Sequence, residues 1–376
     1  MLRHCVLFMH IFPRGGENRR KRKKGSVCRK KGISRHTGSS MGHLLTLKRP
    51  IGVIAQASCV GREEFLGPLG DLFDYHDDSD RFGAATWELA EGELGRIALN
   101  LALNRARLPH TALDLLLAGD LQNQCVASSG GLSAFRAPYI GLYGACSTFV
   151  EGILCAALAM NAAGALSTVG VIATSHNCAA ERQFRLPIEY GGQRPPTAQW
   201  TATAGGAVLL GRQTVGACVT AVMPGRMVDA GISDAANMGA AMAPAVADTL
   251  LRYFAESGDT PDDYDAIVTG DLGREGSAIL SDVLAARRLS LGSRHRDCGV
   301  MLYDPVRQDV HAGGSGCGCV AAVSAAFFLP RLATGELRRI LLLATGALMS
   351  PSSVQQGGSI IGIAPLVRFE YKEKEV

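Results

Sequence analysis

The sequence predicts an α/β fold made of two similar halves, and three observations carry the prediction. A cysteine heads a long apolar stretch twice: Cys146 in GACST (144–148) before FVEGILCAALAMNAAGA (149–165), and Cys317 in GGSGCGC (313–319) before VAAVSAAFFLPRLATG (320–335). Each stretch, helix-like in length, is followed by a strand-like run, VGVIATS (169–175) and RILLLATG (339–346). At an offset of 171 residues, Cys146 falls on Cys317, Gly164 on Gly335, Leu166 on Leu337, Ala173 on Ala344 and Thr174 on Thr345. Self-matching of this kind means duplication.

Taken in chain order, the elements support this reading. DLLLAGDL (114–121) is a short apolar run that follows a Pro-marked turn and ends in Gly-Asp-Leu, and DAIVTGDL (265–272) repeats it at an offset of 151. The two offsets differ by 20 residues, which the second half carries between its Gly-Asp-Leu and its cysteine. The strand runs are β-branched and leucine-rich without alternation, so helices should cover both faces. Strands interleaved with helices make two α/β lobes. In the central loop of the chain, Gly191-Gly192 and Pro195-Pro196 mark residues 176–200 as irregular. TATAGGAVLL (201–210) then reads as a strand whose TAGGA (203–207) lets neighbouring backbone pack closely.

The chain has 376 residues, is 47% apolar and only 19% charged, and so should bury a large core. Its formal charge of +4 conceals an asymmetry. Residues 1–40 hold twelve Lys/Arg and one acid, Glu17, and the remainder holds 26 basic against 33 acidic residues. The segment with NRRKRKKG (18–25) and RKKG (29–32) lacks hydrophobic periodicity and should be disordered. Three readings stand for it: an extension ahead of a true start at Met41, a basic arm on anionic lipid or nucleic acid, or, weakest, a secretion signal. The expected organisation is an extension at 1–40, a first half at 41–225 and a second half at 226–376.

Eleven cysteines, an odd number in apolar contexts, suggest free thiols in a reducing compartment. Cys317 and Cys319 have no second pair or histidine spacing to complete a zinc site, so no metal is expected. No run of eighteen residues is apolar without polar interruption, so no membrane helix is expected. No GxxxxGK[ST] loop is present, which leaves nucleotide hydrolysis unsupported.

Cys146 is the candidate for chemistry. A cysteine between a strand and the first turn of a helix meets unsatisfied N–H groups and the positive end of the helix dipole, which should favour the thiolate. Gly144, Ala145, Ser147 and Thr148 around it are small enough to let a ligand close to the backbone. Cys155 and Cys218 read as packing residues. The loop from His176 to Trp200 offers Arg182, Arg185 and Arg194, with Gln183, Gln193, Tyr190 and Trp200 interleaved. Arginine forks suit carboxylates and aromatic faces suit a planar ring. The alternative is that Glu181 and Glu189 pair with these arginines. Asp271 either bonds a ligand or caps the next helix, the reading we favour. The GGSG turn (313–316) is a weak anion cradle, with Ser315 its hydroxyl.

GACST, TATAGGAVLL and GGSGCGC together resemble the thiolase superfamily, especially its β-ketoacyl-ACP synthase III-like condensing enzymes. FLGPLGDLFD (65–74), AGDLQNQ (118–124), ATSHNCAAERQFRLPIEYGGQRPPTAQWTATAGGAV (173–208), MGAAMAPAVADTL (238–250), TPDDYDAIVTGDLG (260–273), DCGVMLYD (297–304), HAGGSGCGC (311–319) and ATGALMSP (344–351) are similar, more specifically, to the stage V sporulation protein AD family. The resemblance implies a thiolase-like fold, two βαβαβαββ halves in a five-layered α/β/α/β/α sandwich, as a homodimer. It also implies a sporulation role: binding dipicolinic acid, free or as its calcium chelate, for movement across the spore inner membrane with membrane channel proteins of the same complex. The protein would then be cytoplasmic, peripherally associated with that membrane, with no cofactor and no nucleic-acid partner.

Condensing enzymes pair their cysteine with a histidine and an asparagine. Mapped residue by residue, the cysteine falls on Cys146, the histidine position on Gly270 or Asp271, and the asparagine position on Gly314. Loss of such donors costs several kcal/mol of transition-state stabilisation each, so no catalytic residue is expected, Cys146 being the one candidate if there is any. His176 and His311 are the nearby histidines. The expected ligand-binding residues are therefore Cys146, His176, Arg182, Gln183, Arg185, Arg194, Asp271, His311 and Ser315. The rival expectation is an acyl-CoA or acyl-ACP condensing enzyme using Cys146.

Overall fold

Two five-stranded arrays of the same strand order form the frame of the computed structural model, which describes residues 43–162, 164–184 and 194–374. The expectations for residues 1–40 and Met41, and for Arg185, Glu189, Tyr190 and Gln193, lie outside the described residues. The first array comprises β1 (Leu45–Gly61), β2 (Leu115–Gly119), β3 (Tyr139–Gly141), β4 (Thr168–Ser175) and β5 (Ala204–Gly211). The second comprises β6 (Gly216–Met223), β7 (Ala266–Thr269), β8 (His295–Asp297), β9 (Arg339–Leu343) and β10 (Leu366–Lys372). Their orders, β3-β2-β4-β5-β1 and β8-β7-β9-β10-β6, are equivalent strand for strand. In each, the three outer strands run parallel and the next two antiparallel.

The arrays meet where β1 pairs with β6, and the register of that ladder shifts between Thr46 and Ile51. Pro50 lies in the gap and has no N–H to give to a ladder. With β6 in the second array, the junction between repeats falls at residues 212–215, ahead of the 225/226 boundary expected from sequence.

Helices fill three layers around the sheets. α1 (Trp87–Ala106) and α2 (Val126–Leu132) cover the outside of the first sheet, and α5 (Met238–Ser257) and α6 (Gly273–Ala285) the outside of the second. Between the sheets lie α3 (Thr148–Ala162) and α7 (Cys317–Thr334), the two helices headed by cysteines; α4 (Asn177–Phe184) lies in the central loop. This is the expected five-layered arrangement. Strands β4 and β5 are buried at every residue, as their unalternating runs require.

The sequence expectation on membrane helices needs one correction. Ala145–Ala162 and Cys317–Thr334 are both long and apolar enough to cross a bilayer, despite the polar residues within them. Their packing gives the reason: a helix enclosed between two sheets is apolar on all sides. Within α7 the residues Ser324–Phe328 form a π turn, next to Pro330, which lacks an N–H for the carbonyl one turn back and crowds it with its ring.

Candidate functional site at the head of the Cys146 helix

Duplication places two cysteine-headed helices side by side, and the residue ahead of each cysteine has a positive φ. Ala145 has φ 53° and Gly316 φ 106°, and these two positions are also 171 apart. A glycine takes this left-handed region freely, whereas an alanine is strained in it. The bend turns the Cys146 side chain out of the helix axis and toward the second repeat. Ser147 and Thr148 brace it, their hydroxyls donating to Gly144 O at 2.6 Å and Ala145 O at 2.7 Å.

Opposite Cys146 stands Asp271, at the end of β7. Its carboxylate accepts from Ser315 Oγ at 3.1 Å, Gly316 N at 2.9 Å and the Thr345 hydroxyl. Ser315 Oγ is in turn 3.8 Å from Cys146 Sγ. Gln199 closes the back, its amide donating to Asp271 O at 2.7 Å and Gly314 O at 2.9 Å. Burial raises the Asp271 pKa, and its hydrogen bonds oppose the rise.

The expected thiolate is not favoured here. Burial pushes the Cys146 thiol well above its usual range, and the neighbouring Asp271 carboxylate pushes it further. Desolvation and a like charge outweigh the helix dipole because the sulfur is enclosed in protein. The favoured role for Asp271 also needs correcting. It accepts from Gly316 N, one residue ahead of α7, and makes no side-chain cap on that helix or on the next helix, α6. At the start of α6, Leu272 N and Gly273 N donate to Asp297, at 2.8 and 3.0 Å. Burial raises Asp297 to about 7.

A cavity of about 270 Å³ opens in front of Cys146, at the small end of the range for small-molecule sites. Its polar lining includes the buried Cys146 and Ser315, Thr201 and the exposed Tyr143; its apolar lining includes Phe184, Met238, Leu348 and Met349. Among the described residues that line it, Glu181 is the one charged side chain.

The expected site residues separate into two groups. Cys146, Ser315 and Asp271 come together as above. Arg182 pairs with Glu88, and Arg194 donates to the Asp309 carboxylate at 2.9 Å while lying over the Trp200 ring. Neither arginine lines the cavity, and both pairings are with acids from other segments than the local Glu181 and Glu189 expected. His311 bridges Pro195 O and Asp309, each at 2.9 Å. His176 is fully buried beside Trp87 with Nε2 on Asp80 O at 2.8 Å, and burial lowers its pKa. Gln183 bonds the backbone of residues 121 and 123. Sequence reasoning did not single out Thr345, Gln199, Tyr143 or Phe184 for the site. Thr345 alone had a signal, its match to Thr174 in the repeat.

Gly314, where the resemblance to condensing enzymes places their asparagine, is tightly packed. A Cβ on Gly314 would lie 2.9 Å from the Tyr303 ring and 3.4 Å from Cys319 Sγ.

Comparison with solved structures gives the same architecture at low sequence identity. The 3-oxoacyl-[acyl-carrier-protein] synthase III of Aquifex aeolicus VF5 is 13% identical with a TM-score of 0.52, over 85% of this chain and 99% of that one. Cerulenin-bound OleA of Xanthomonas campestris is 15% identical with a TM-score of 0.52, over 86% and 97%. These establish a thiolase-like fold. Sequence comparison goes further: the chain is 42% identical over 324 residues to the stage V sporulation protein AD of Bacillus subtilis (strain 168), covering 86% of this chain and 95% of that protein. The model of the family described as Stage V sporulation protein AD (SpoVAD) matches residues 42–370, and this chain belongs to that family.

Proposed function

We propose that the protein is a ligand-binding member of the sporulation machinery, which holds dipicolinic acid in the cavity before Cys146 and makes no bond to it. Two observations support the non-catalytic part: the one thiol on the described lining is held protonated by burial and by Asp271, and Gly314 leaves no side chain to polarise a thioester. The Thr201 hydroxyl offers a hydrogen bond to a carboxylate oxygen, whereas those of Ser315 and Tyr143 already donate to Asp271 and Asn123 and would have to turn from them to meet the ligand. The ligand is held free or as its calcium chelate, which is neutral overall. Delivery to membrane channel proteins, as a homodimer peripheral to the spore inner membrane, completes the reading.

Thermal melting tests it. A ligand at about 100 times its Kd adds roughly 2.7 kcal/mol of stability, so millimolar dipicolinate with calcium should raise Tm by several degrees. No shift, with or without calcium, would overturn the proposal.

The rival reading, an acyl-CoA or acyl-ACP condensing enzyme, is favoured by the apolar flanks of the cavity and by the enzymes that share the fold. Mass spectrometry after incubation with acyl-CoA separates the two. A thioester on Cys146, absent in Cys146→Ser, would revive catalysis.

A further inference from the structure

One wall of the cavity is held in an unfavourable backbone conformation. Gln124 has φ 65° and ψ 16°, and Cys125 has φ 52° and ψ 45°. Two successive residues with side chains thus sit in the left-handed region, which persists only where the surroundings enforce it. The segment they end, Leu121–Cys125, supplies Leu121 to the cavity and anchors Tyr143, whose hydroxyl donates to Asn123 Oδ1 at 3.1 Å.

A single amide side chain holds the first half of this segment, immediately ahead of the two strained residues. Gln183 Oε1 accepts from Asn123 N at 3.0 Å, and Gln183 Nε2 donates to Leu121 O at 2.7 Å. Gln183 stands in the last turn of α4, the helix that gives Ala180, Glu181 and Phe184 to the same cavity. The amide therefore ties two walls together, and both of its ends are engaged with backbone.

We propose that Gln183 is a positioning residue for the cavity: it holds the Leu121–Cys125 bend against its strain and so sets Leu121 and Tyr143 as the wall a ligand meets. The ligand arm of the test rests on the reading above that this cavity binds dipicolinate; the exchange arm does not.

The full-length protein is compared with Gln183→Ala, with Gln183→Glu, and with Gln183→Ala carrying Gln124→Gly and Cys125→Gly. Amide hydrogen exchange over residues 121–126 should quicken at least tenfold in Gln183→Ala while the sheet strands keep their protection. Gln183→Glu keeps the acceptor for Asn123 N and loses the donor to Leu121 O, so it should fall between, and it serves if the alanine variant does not fold. Calorimetry with calcium dipicolinate should show about tenfold weaker binding for Gln183→Ala. The added glycines, which adopt positive φ without strain, should bring affinity back to within about threefold of the unsubstituted protein. Unchanged exchange over 121–126 in Gln183→Ala overturns the proposal. So does lost affinity that the glycines fail to restore, the behaviour of a direct ligand contact. If the unsubstituted protein binds no dipicolinate, the functional reading fails while the exchange result still decides the role of Gln183.

Discussion

The carboxyl group of Asp271, from the second repeat, lies against the thiol of Cys146, from the first, with the Ser315 hydroxyl between them. The contact keeps the sulfur protonated, because a nearby carboxylate disfavours a second negative charge. Asp271→Asn removes that charge, retains a polar group of the same size, and should lower the Cys146 pKa. A fall of one unit gives about ten times more thiolate at any pH below it. Alkylation of Cys146 by iodoacetamide, followed by peptide mapping to separate it from the other free cysteines, should therefore quicken by several-fold to tenfold. An unchanged rate would mean that burial alone governs the sulfur.

Glu64 gives a prediction about pH. It is fully enclosed, accepts from Thr203 N at 3.0 Å and from the Tyr303 hydroxyl, and its other oxygen has no partner. Burial raises its pKa from 4.5 to about 8, so the folded protein holds a proton there that the unfolded chain releases. The stability this group contributes is complete below about pH 4.5 and is lost as pH rises toward 8. Glu64→Gln cannot ionise, keeps an acceptor for both donors, and should be more stable than the parent by an amount that grows across that window. A shift of this size corresponds to at most roughly 5 kcal/mol, and relaxation of the site makes a gain of about 1–3 kcal/mol the expectation. Urea titrations at pH 5 and pH 8 measure it. Equal gains at both pH values would show that Glu64 does not titrate in this range.

How far the site could be read in the sequence depended on distance along the chain. The repeat was legible because both copies keep the same local needs: a left-handed residue ahead of each cysteine, at Ala145 and Gly316, and an apolar helix after it. Position within the fold was therefore available for Cys146, Ser315 and Asp271. Pairing was not. Arg182 finds Glu88, 94 residues away, and Arg194 finds Asp309, 115 residues away, and no local pattern encodes such partners. Asp271 was open to a capping role on α6, which local sequence offered, but in the fold its carboxylate turns to Ser315, Gly316 and Thr345, 44 to 74 residues away within the same repeat. The thiolate expectation failed for the same reason, since the dipole is a local feature and the enclosing layer is not.

Gly314 makes the proposed absence of condensing chemistry testable. Gly314→Asn would supply the residue type that the resemblance to condensing enzymes maps to this position, but its Cβ would meet the Tyr303 ring, which is itself fixed by Glu64. Overpacking of this kind typically costs about 1–3 kcal/mol. The variant should melt several degrees lower and show no turnover of acyl-CoA. If it melts like the parent and turns over a thioester, the donor set was one substitution from function, and the inert reading is wrong.

The proposed homodimer is testable at one edge of the first sheet. β3 is an edge strand, paired on one side with β2 and on the other with nothing among the described residues, and Ile140 at its centre is half exposed. Tyr139 and Tyr143 lie exposed beside it. A bare apolar edge invites pairing, and a second copy turned about a two-fold axis meets it with the same edge, a self-complementary contact that closes. Ile140→Lys places a charge from each copy at the centre of that contact, while a single chain loses little, since the side chain is already in water. Sedimentation at micromolar concentration should show a dimer for the parent and a monomer for Ile140→Lys, with Tm nearly unchanged at low concentration. A parent protein that sediments as a monomer removes the dimer from the proposal; a variant that stays dimeric moves the contact to another face.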